Sequence, residues 1–106
     1  MGWVVEVLEA ALPEIEALPA DMQARFRRIA EFIQSQGLER VREPYVKHLE
    51  GKLWEIRMTG RDGIARAIYV TATGCRVVVV RAFIKKTERT PRAEIELAYK
   101  RAGLIL

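Results

Sequence analysis

The residues best suited to chemistry lie just after a run of four valines, residues 77–80, and just before a helix-like segment that begins at Pro91. The basic residues of this stretch are Arg81, Lys85, Lys86 and Arg89, and Glu88 is the one acid among them. Guanidinium and ammonium groups bind phosphate oxygens, and a strand end holds such groups rigidly. The stretch is therefore typical of a binding edge for a phosphate polymer, and we interpret it as part of an RNA site.

Composition limits what that site can use. Cys75 is the only cysteine and His48 the only histidine, so neither an internal disulfide nor a metal cage is expected. We expect no metal and no cofactor. A ribonuclease without metal needs a base for the 2′-hydroxyl, cations for the phosphate and an acid for the leaving oxygen. Arginine, lysine, tyrosine and carboxylates would have to supply these groups.

The charge of the chain is uneven. Residues 1–24 hold five acids and no base, whereas residues 25–106 hold 18 bases and nine acids. A basic body favours a polyanionic partner, although a basic protein that is merely soluble shows the same composition. The length of 106 residues predicts a single domain over 1–106. No apolar run is long enough to span a bilayer and the N-terminus does not resemble a signal peptide, so we expect a cytoplasmic protein.

Hydrophobic spacing predicts a small α+β domain. Residues 3–8 resemble a short strand, 9–18 a loop or short helix, and 21–36 a helix. Tyr45–Glu50 is expected to form one helical turn. Three strands then follow, over 53–58, 64–73 and 75–84, and a helix begins at Pro91 with Thr90 as its cap. We expect an antiparallel sheet, consisting of the short N-terminal strand and a three-stranded meander. The N-terminal helices pack on one face, and the other face stays partly open beside a short C-terminal helix.

The two tight connections of the meander suggest a register. A four-residue loop over 60–63 places Arg57 opposite Arg66, and a two-residue loop at Thr73-Gly74 places Arg66 opposite Arg81. The three arginines would then form a row on one face, and Phe83, Lys85 and Glu55 would share that face. Like charges in such a row repel one another. Either carboxylates or a bound phosphate chain would have to compensate.

Several motifs together resemble the RelE/HigB-type toxins of bacterial type II toxin–antitoxin systems, closest to the phage-derived HigB-like branch. The segments that carry the resemblance are Gly37-Leu38, Val46 to Arg57, Arg66-Ala67-Ile68-Tyr69, Ala82 to Thr87, Thr90-Pro91 and Glu94 to Ala98. The resemblance implies a ribosome-dependent mRNA endonuclease that inhibits translation. It also implies neutralisation by a helix-turn-helix, HigA-type antitoxin, with operator DNA bound only through the antitoxin complex and no membrane partner.

The resemblance also suggests roles for individual residues. The expected catalytic residues are Arg57, Arg66 and Lys86. The expected RNA-binding residues are Arg81, Lys85, Arg89, Tyr99 and Arg101. One departure from RelE is that Ile95 stands where RelE has a catalytic tyrosine in its last helix, with Tyr99 one turn later. The general acid and base therefore stay open, and either Lys85 or Lys86 is a candidate proton carrier.

Alternatives remain for the whole chain and for single residues. A ParE-like inhibitor of DNA gyrase would keep the fold, and a non-catalytic nucleic-acid-binding module would keep the basic surface. His48 is expected at a helix end or in a loop rather than at the site. Tyr69 and Trp54 are expected in the packing on the face opposite Arg66 and Arg57. Tyr99 could stack on a base or simply cover the sheet.

Overall fold

A five-stranded sheet with helices on both faces forms the part of the chain that the structure describes, residues 2–86 and 88–106. In this computed structural model the strands are β1 Val4–Val7, β2 Val46–Glu50, β3 Leu53–Gly60, β4 Gly63–Ala72 and β5 Arg76–Lys85. The helices are α1 Leu12–Glu16, α2 Ala20–Gln36 and α3 Arg92–Ala102, with short 3₁₀ turns at Glu9–Ala11 and Leu38–Arg40. The predicted α+β class is confirmed.

The sheet is mixed rather than antiparallel as expected. Its strand order is β1-β5-β4-β3-β2, and β1 runs parallel to β5, with Val4 beside Arg76. Parallel neighbours need a long connection. Here the connection is the whole chain from α1 to β4. The Glu6 carboxylate accepts two hydrogen bonds of 3.0 Å from the Arg76 guanidinium, which ties the two strands together.

Strand β2 corrects the expected helical turn at Tyr45–Glu50. Pro44 and Gly51 bound this segment, and their spacing suggested a single turn. The segment instead pairs antiparallel with β3, with Val46 opposite Ile56. Backbone hydrogen bonds to a neighbouring strand satisfy more donors and acceptors than one isolated turn can, so tertiary pairing overrides the local signal.

The two faces of the sheet hold two separate apolar clusters. Helix α2, predicted over 21–36, buries Met22, Phe26, Ile29 and Ile33 at helical spacing against one face. Helix α3 buries Ile95, Ala98 and Ala102 against the other face. Because α3 is short, it covers only part of its face and leaves the ends of β3, β4 and β5 to the functional groups described below.

The meander confirms one predicted register and corrects the other. Arg57 lies opposite Arg66, as expected, and Thr59 lies opposite Ile64. Arg66, however, lies opposite Phe83, and Arg81 lies opposite Ile68. The turn before β5 contains three residues rather than two, because Ala72 pairs with Arg76. A bulge between Ile68 and Tyr69 in the pairing then adds a second displacement.

Candidate nucleic-acid cleavage site

A cluster of cations lies on the α3 face of the sheet, beyond the end of α3. Arg57 and Arg66 face each other on β3 and β4, and Lys85 ends β5 opposite Ile64. Side chains alternate along a strand, so all three belong to one face. The longer turn and the bulge together shift the β4–β5 register by two residues. Because side chains alternate along a strand, Phe83 and Lys85 stay on the same face as Arg66, as predicted.

Arg66 is the most unusual member of the cluster because it is buried with free hydrogen-bond donors. Its side chain is 4% exposed, and in the described residues its Nε and Nη1 atoms have no hydrogen-bond partner. The pKa of Arg66 is lowered by burial; Glu55 opposes this effect and Arg57 adds to it. A guanidinium remains charged at neutral pH even so. Unpaired buried donors are destabilising by about 1–3 kcal/mol, and more for a charged group, unless an anion binds them.

Glu55 is the carboxylate nearest to this arginine. It is only 3% exposed, and its Oε1 atom lies 3.7 Å from Arg66 Nη1. That separation is an ion pair but is too long for a hydrogen bond. The other oxygen, Oε2, accepts a hydrogen bond of 3.3 Å from the Thr90 hydroxyl. One acid therefore compensates the cluster only in part.

Thr90 was expected to cap α3, and this expectation was wrong. The residue before the helix is Pro91, and no side chain caps the helix start. The Thr90 hydroxyl points instead to Glu55, which anchors the loop after β5 to β3. In a helix cap the hydroxyl oxygen would accept a hydrogen bond from a backbone N–H. Here the hydroxyl donates one to a carboxylate, which is a strong acceptor because it is charged.

Lys85, rather than Lys86, belongs to the cluster. The pKa of Lys85 is lowered first by burial and next by the charge of Arg66; Glu55 opposes this shift, and Arg57 and Lys47 add to it. Lys86 follows the strand and is exposed. A lysine with a lowered pKa is a better proton carrier at neutral pH than an ordinary one.

A cleft of about 290 Å³ opens beside this cluster, and Lys85 is the member of the cluster that lines it. Glu55 and Lys85 line it from the sheet, and Lys47 lines it from the edge strand β2. Glu88, Arg89 and Thr90 form the opposite wall, so the predicted RNA-binding residue Arg89 lies at the cleft. The cleft is a concave, basic surface at the ends of strands, and it is suited to a phosphate chain.

Arg81 and Arg101, which were expected to bind RNA, lie instead in an ion network. The Arg81 guanidinium contacts Glu14 at 2.6 Å and Glu94 at 2.6 Å. Arg101 Nη1 donates hydrogen bonds of 2.9 Å to Glu14 and to the Val80 carbonyl. The predicted row of three arginines is therefore wrong at its third member, because the register moves Arg81 towards these carboxylates.

Tyr99 is compatible with both roles that the sequence left open, stacking on a base and covering the sheet. It is 39% exposed on α3, and its hydroxyl hydrogen-bonds to Glu50. Partial burial and this hydrogen bond raise the pKa of Tyr99. The hydroxyl also lies over Gly51, where φ is +52° and a Cβ would approach it to 2.7 Å. Tyr99 thus covers the β2–β3 turn while part of its ring remains available.

Two aromatic residues, Tyr69 and Trp54, lie on the face opposite the cluster, whereas His48 lines the cleft from the edge strand. Trp54 was expected in the packing, but it is 39% exposed. Tyr69 is 1% exposed in the core beneath α2, as predicted, and burial raises the pKa of its hydroxyl. Trp54 also lies on that face, where its ring centroid is 4.8 Å from that of His48. His48 belongs to strand β2, and not to the expected helix end or loop.

The sequence predicted roles for Arg57, Arg66, Lys85, Lys86 and Arg89, placed Glu55 on their face and gave Thr90 only a capping role, but it predicted no role for Lys47. Glu55 and Arg57 alternate on β3, and this spacing was a usable signal for a shared face. Nothing in the sequence placed Lys47 opposite Glu55, since β2 was not recognised as a strand.

Two further observations concern the described part of the chain. It contains no group of three histidine, cysteine, aspartate or glutamate side chains that could hold a metal ion. None of its helices combines the length and the apolar surface needed to cross a membrane.

The fold and the cluster together define a small basic protein with a cleft at the strand ends, and its family follows from the sequence. Residues 13–103 match the family described as "Phage derived protein Gp49-like (DUF891)", so the chain belongs to that family. No curated protein is similar enough to match it.

Solved structures of RelE-type proteins share the fold. A mutant of the E. coli toxin RelE in the free state is 18% identical with a TM-score of 0.65, and the match covers 100% of both chains. The archaeal RelE–RelB complex from Pyrococcus horikoshii OT3 is 18% identical with a TM-score of 0.62, covering 81% of this chain and 98% of that chain. The toxin–antitoxin complex RelBE2 from Mycobacterium tuberculosis is 17% identical with a TM-score of 0.59, and the match covers 80% of this chain and 100% of that chain. The resemblance to RelE-type toxins is confirmed at the level of the fold.

Proposed function

We propose that this protein is the toxin of a type II toxin–antitoxin system and that it cleaves mRNA on the ribosome. The Gp49-like family and the RelE fold support the first part. The second part depends on the site, since one fold can carry several activities.

The observation that carries the proposal is the buried guanidinium of Arg66 beside Arg57 and Lys85. Two of its donor atoms have no hydrogen-bond partner among the residues that the structure describes. Folding does not place positive charge and free donors together without compensation. The scissile phosphate of an RNA chain provides both a negative charge and acceptor oxygens. Arg57 and Arg66 would grip it from neighbouring strands.

The reaction follows from RNA chemistry. The 2′-hydroxyl oxygen attacks the adjacent phosphorus, and the bond from phosphorus to the 5′-oxygen breaks. The departing 5′-oxygen takes up a proton from water, so the products are a 2′,3′-cyclic phosphate and a 5′-hydroxyl end. Negative charge increases on the phosphate oxygens in the transition state, and preorganised guanidinium donors stabilise it there.

Lys85 is our candidate for moving the first proton. Its lowered pKa raises the fraction of neutral amine that can accept the proton of the 2′-hydroxyl. Lys86, which the sequence suggested as catalytic, is exposed and better placed to hold a flanking phosphate. Arg89 and Lys47 line the cleft and would hold others.

The partners follow from the same proposal. The Pyrococcus horikoshii and Mycobacterium tuberculosis structures are complexes of a toxin-type chain with its antitoxin. We propose an antitoxin for this chain too, of the HigA-type helix-turn-helix class that the sequence suggested, through which operator DNA is bound. The ribosome and its mRNA are the target, in the cytoplasm.

Primer extension on a message in a reconstituted translation reaction tests the proposal. Wild type, Arg66→Ala and a matched control, Arg61→Ala at the exposed β3–β4 turn, would be compared with and without ribosomes. We expect cuts at in-frame positions that require ribosomes, weaken with Arg66→Ala and persist with Arg61→Ala. Absence of cuts in every lane would reject the nuclease and favour a gyrase inhibitor. Cuts that are unaffected by Arg66→Ala would reject this site.

A further inference from the structure

A second groove lies on the other side of the sheet, between α2 and the segment that leads into β2. It encloses about 400 Å³. Its apolar lining consists of Ile29, Phe32, Val41 and Tyr45. Phe32 is 48% exposed and Tyr45 is 47% exposed, although both are large and apolar or aromatic. Large exposed side chains grouped around a concavity are typical of a binding surface.

The rim of this groove is basic. Arg25, Arg28, Arg40 and Arg42 line it, and Glu43 is the only acid among the lining residues. None of the four guanidinium groups has an ion-pair or hydrogen-bond partner within residues 2–86 and 88–106. Elsewhere in the described residues, arginines such as Arg76 and Arg92 contact carboxylates. The groove thus combines an apolar floor with uncompensated positive charge.

We propose that this groove docks an acidic amphipathic helix of a partner polypeptide. The apolar face of such a helix would cover Phe32, Tyr45 and Ile29, and its carboxylates would pair with the arginines on the rim. Charge complementarity favours an acidic partner. Ile29 and Val41 add aliphatic surface to that of the two aromatic rings. Aliphatic surface favours the apolar side chains of a helix over RNA, whose bases stack on aromatic rings.

The surface continues beyond this groove. A shallower one shares Val41, Arg42 and Glu43 with it and extends to Trp3 and Trp54. The docking groove shares no lining residue with the cleft over Glu55 and Lys85. A helix bound here would therefore leave the cleft open. The inference rests on the groove and does not depend on RNA cleavage.

The test uses the full chain and a designed probe. The probe is a fluorescently labelled peptide of about 16 residues, with leucines at helical spacing and glutamates on the other face. A second peptide has lysine in place of every glutamate. Anisotropy would be measured for wild type, for Arg25→Glu/Arg28→Glu and for Phe32→Ala. Arg27→Glu is the matched control, because Arg27 is exposed on α2 but does not line the groove.

We expect micromolar binding of the acidic peptide that weakens about tenfold or more in both groove variants and not in Arg27→Glu. A Lys85→Glu variant in the cleft should bind it like wild type. Equal binding of the lysine peptide, or no binding of the acidic one, would overturn the proposal. So would loss of binding with Lys85→Glu, since the peptide would then act as a polyanion in the cleft. Single-stranded RNA that binds the groove in the peptide's place would also overturn it.

Discussion

Two groups of arginines on the same sheet face differ in what surrounds them. Arg81 and Arg101 share Glu14, and Arg81 also contacts Glu94. Arg57 and Arg66 face each other, and Glu55 lies 3.7 Å from Arg66, too far for a hydrogen bond. The first group is neutralised within the fold, and the second is not.

The role of an arginine therefore depends on the carboxylates around it, and the arginine alone does not predict that role. The sequence predicted that Arg66 is catalytic and that Arg81 binds RNA, both in one row across neighbouring strands. Paired arginines hold α1, β5 and α3 together, because Glu14 lies on α1 and Glu94 on α3. Arg57 and Arg66, which the fold compensates only in part, keep binding capacity for a ligand.

Replacing Arg66 by alanine and replacing Arg81 by alanine should give opposite phenotypes, and this is the strongest effect that we predict. Arg66→Ala should lower ribosome-dependent cleavage by about 10³, because one transition-state donor is lost. Arg81→Ala should leave cleavage nearly intact and destabilise the fold by about 2 kcal/mol, since Glu14 and Glu94 lose a partner. Cleavage rates and urea unfolding of both variants check this. A cleavage loss of similar size in both would remove the distinction.

Lys85 should determine how the cleavage rate at the Arg57–Arg66 site depends on pH. If its neutral amine accepts the 2′-hydroxyl proton, the rate rises with pH until the amine is deprotonated. Burial and the charge of Arg66 lower the pKa, so the plateau begins at a lower pH than for an ordinary lysine, whose pKa is about 10.4. Lys85→Gln should lower the rate about 10²-fold and remove the rise. Single-turnover cleavage rates measured across pH test this prediction. Lys86→Gln is the matched control, in which the rate should still rise with pH.

Glu14 should control the stability of the paired group. Burial raises its pKa, but hydrogen bonds from Arg101, the Ala82 amide and Arg81 outweigh burial, so its pKa is lowered. Its stabilising effect is therefore complete above the ordinary glutamate pKa of about 4.3 and decreases as the pH falls towards the folded-state pKa. We expect Glu14→Gln to destabilise the fold by about 2–3 kcal/mol at pH 7, less than for a fully buried pair.

Urea unfolding at neutral and acidic pH measures this effect. The difference between wild type and Glu14→Gln should narrow as the pH falls below about 4. Glu16→Gln, an exposed position on the same helix, should behave like wild type at both values. A difference that stays constant with pH would show that the charge of Glu14 is not what stabilises the network.

The smallest expected effect concerns Tyr99, which belongs to neither group. If its ring stacks on a base, Tyr99→Ala should weaken single-stranded RNA binding several-fold, whereas Tyr99→Phe should not. If the hydroxyl contact to Glu50 is what matters, the two variants should behave alike. Binding titrations at fixed salt distinguish the two cases.

Much of the fold was predictable because it depends on local patterns. The stripe of Met22, Phe26, Ile29 and Ile33 gave α2, and the glycines at 60 and 63 gave the β3–β4 turn with Arg57 opposite Arg66. The β4–β5 register was not predictable in the same way. Cys75 adopts φ of +56° and extends the turn to three residues, a conformation that non-glycine residues seldom adopt.

The site was predictable to the extent that it follows from alternation along strands. Phe83 and Lys85 kept their predicted face because the longer turn and the bulge together shift the register by two residues, and side chains two apart share a face. The burial of Arg66 and the ion pairs of Arg81 depend on α1 and α3 packing against the sheet. Contacts between segments far apart in sequence, such as Glu14 with Arg101, leave no local pattern.

The parallel pairing of β1 with β5 has a consequence for the order in which the chain folds. Val4 is synthesised before β2, β3 and β4, but its partner Arg76 leaves the ribosome only after those three strands. The hairpins of the meander close short loops and form quickly, whereas β1 must wait for a distant segment. We expect β1 to join the sheet last, so that a growing chain carries an unpaired leading strand until its final strand has emerged.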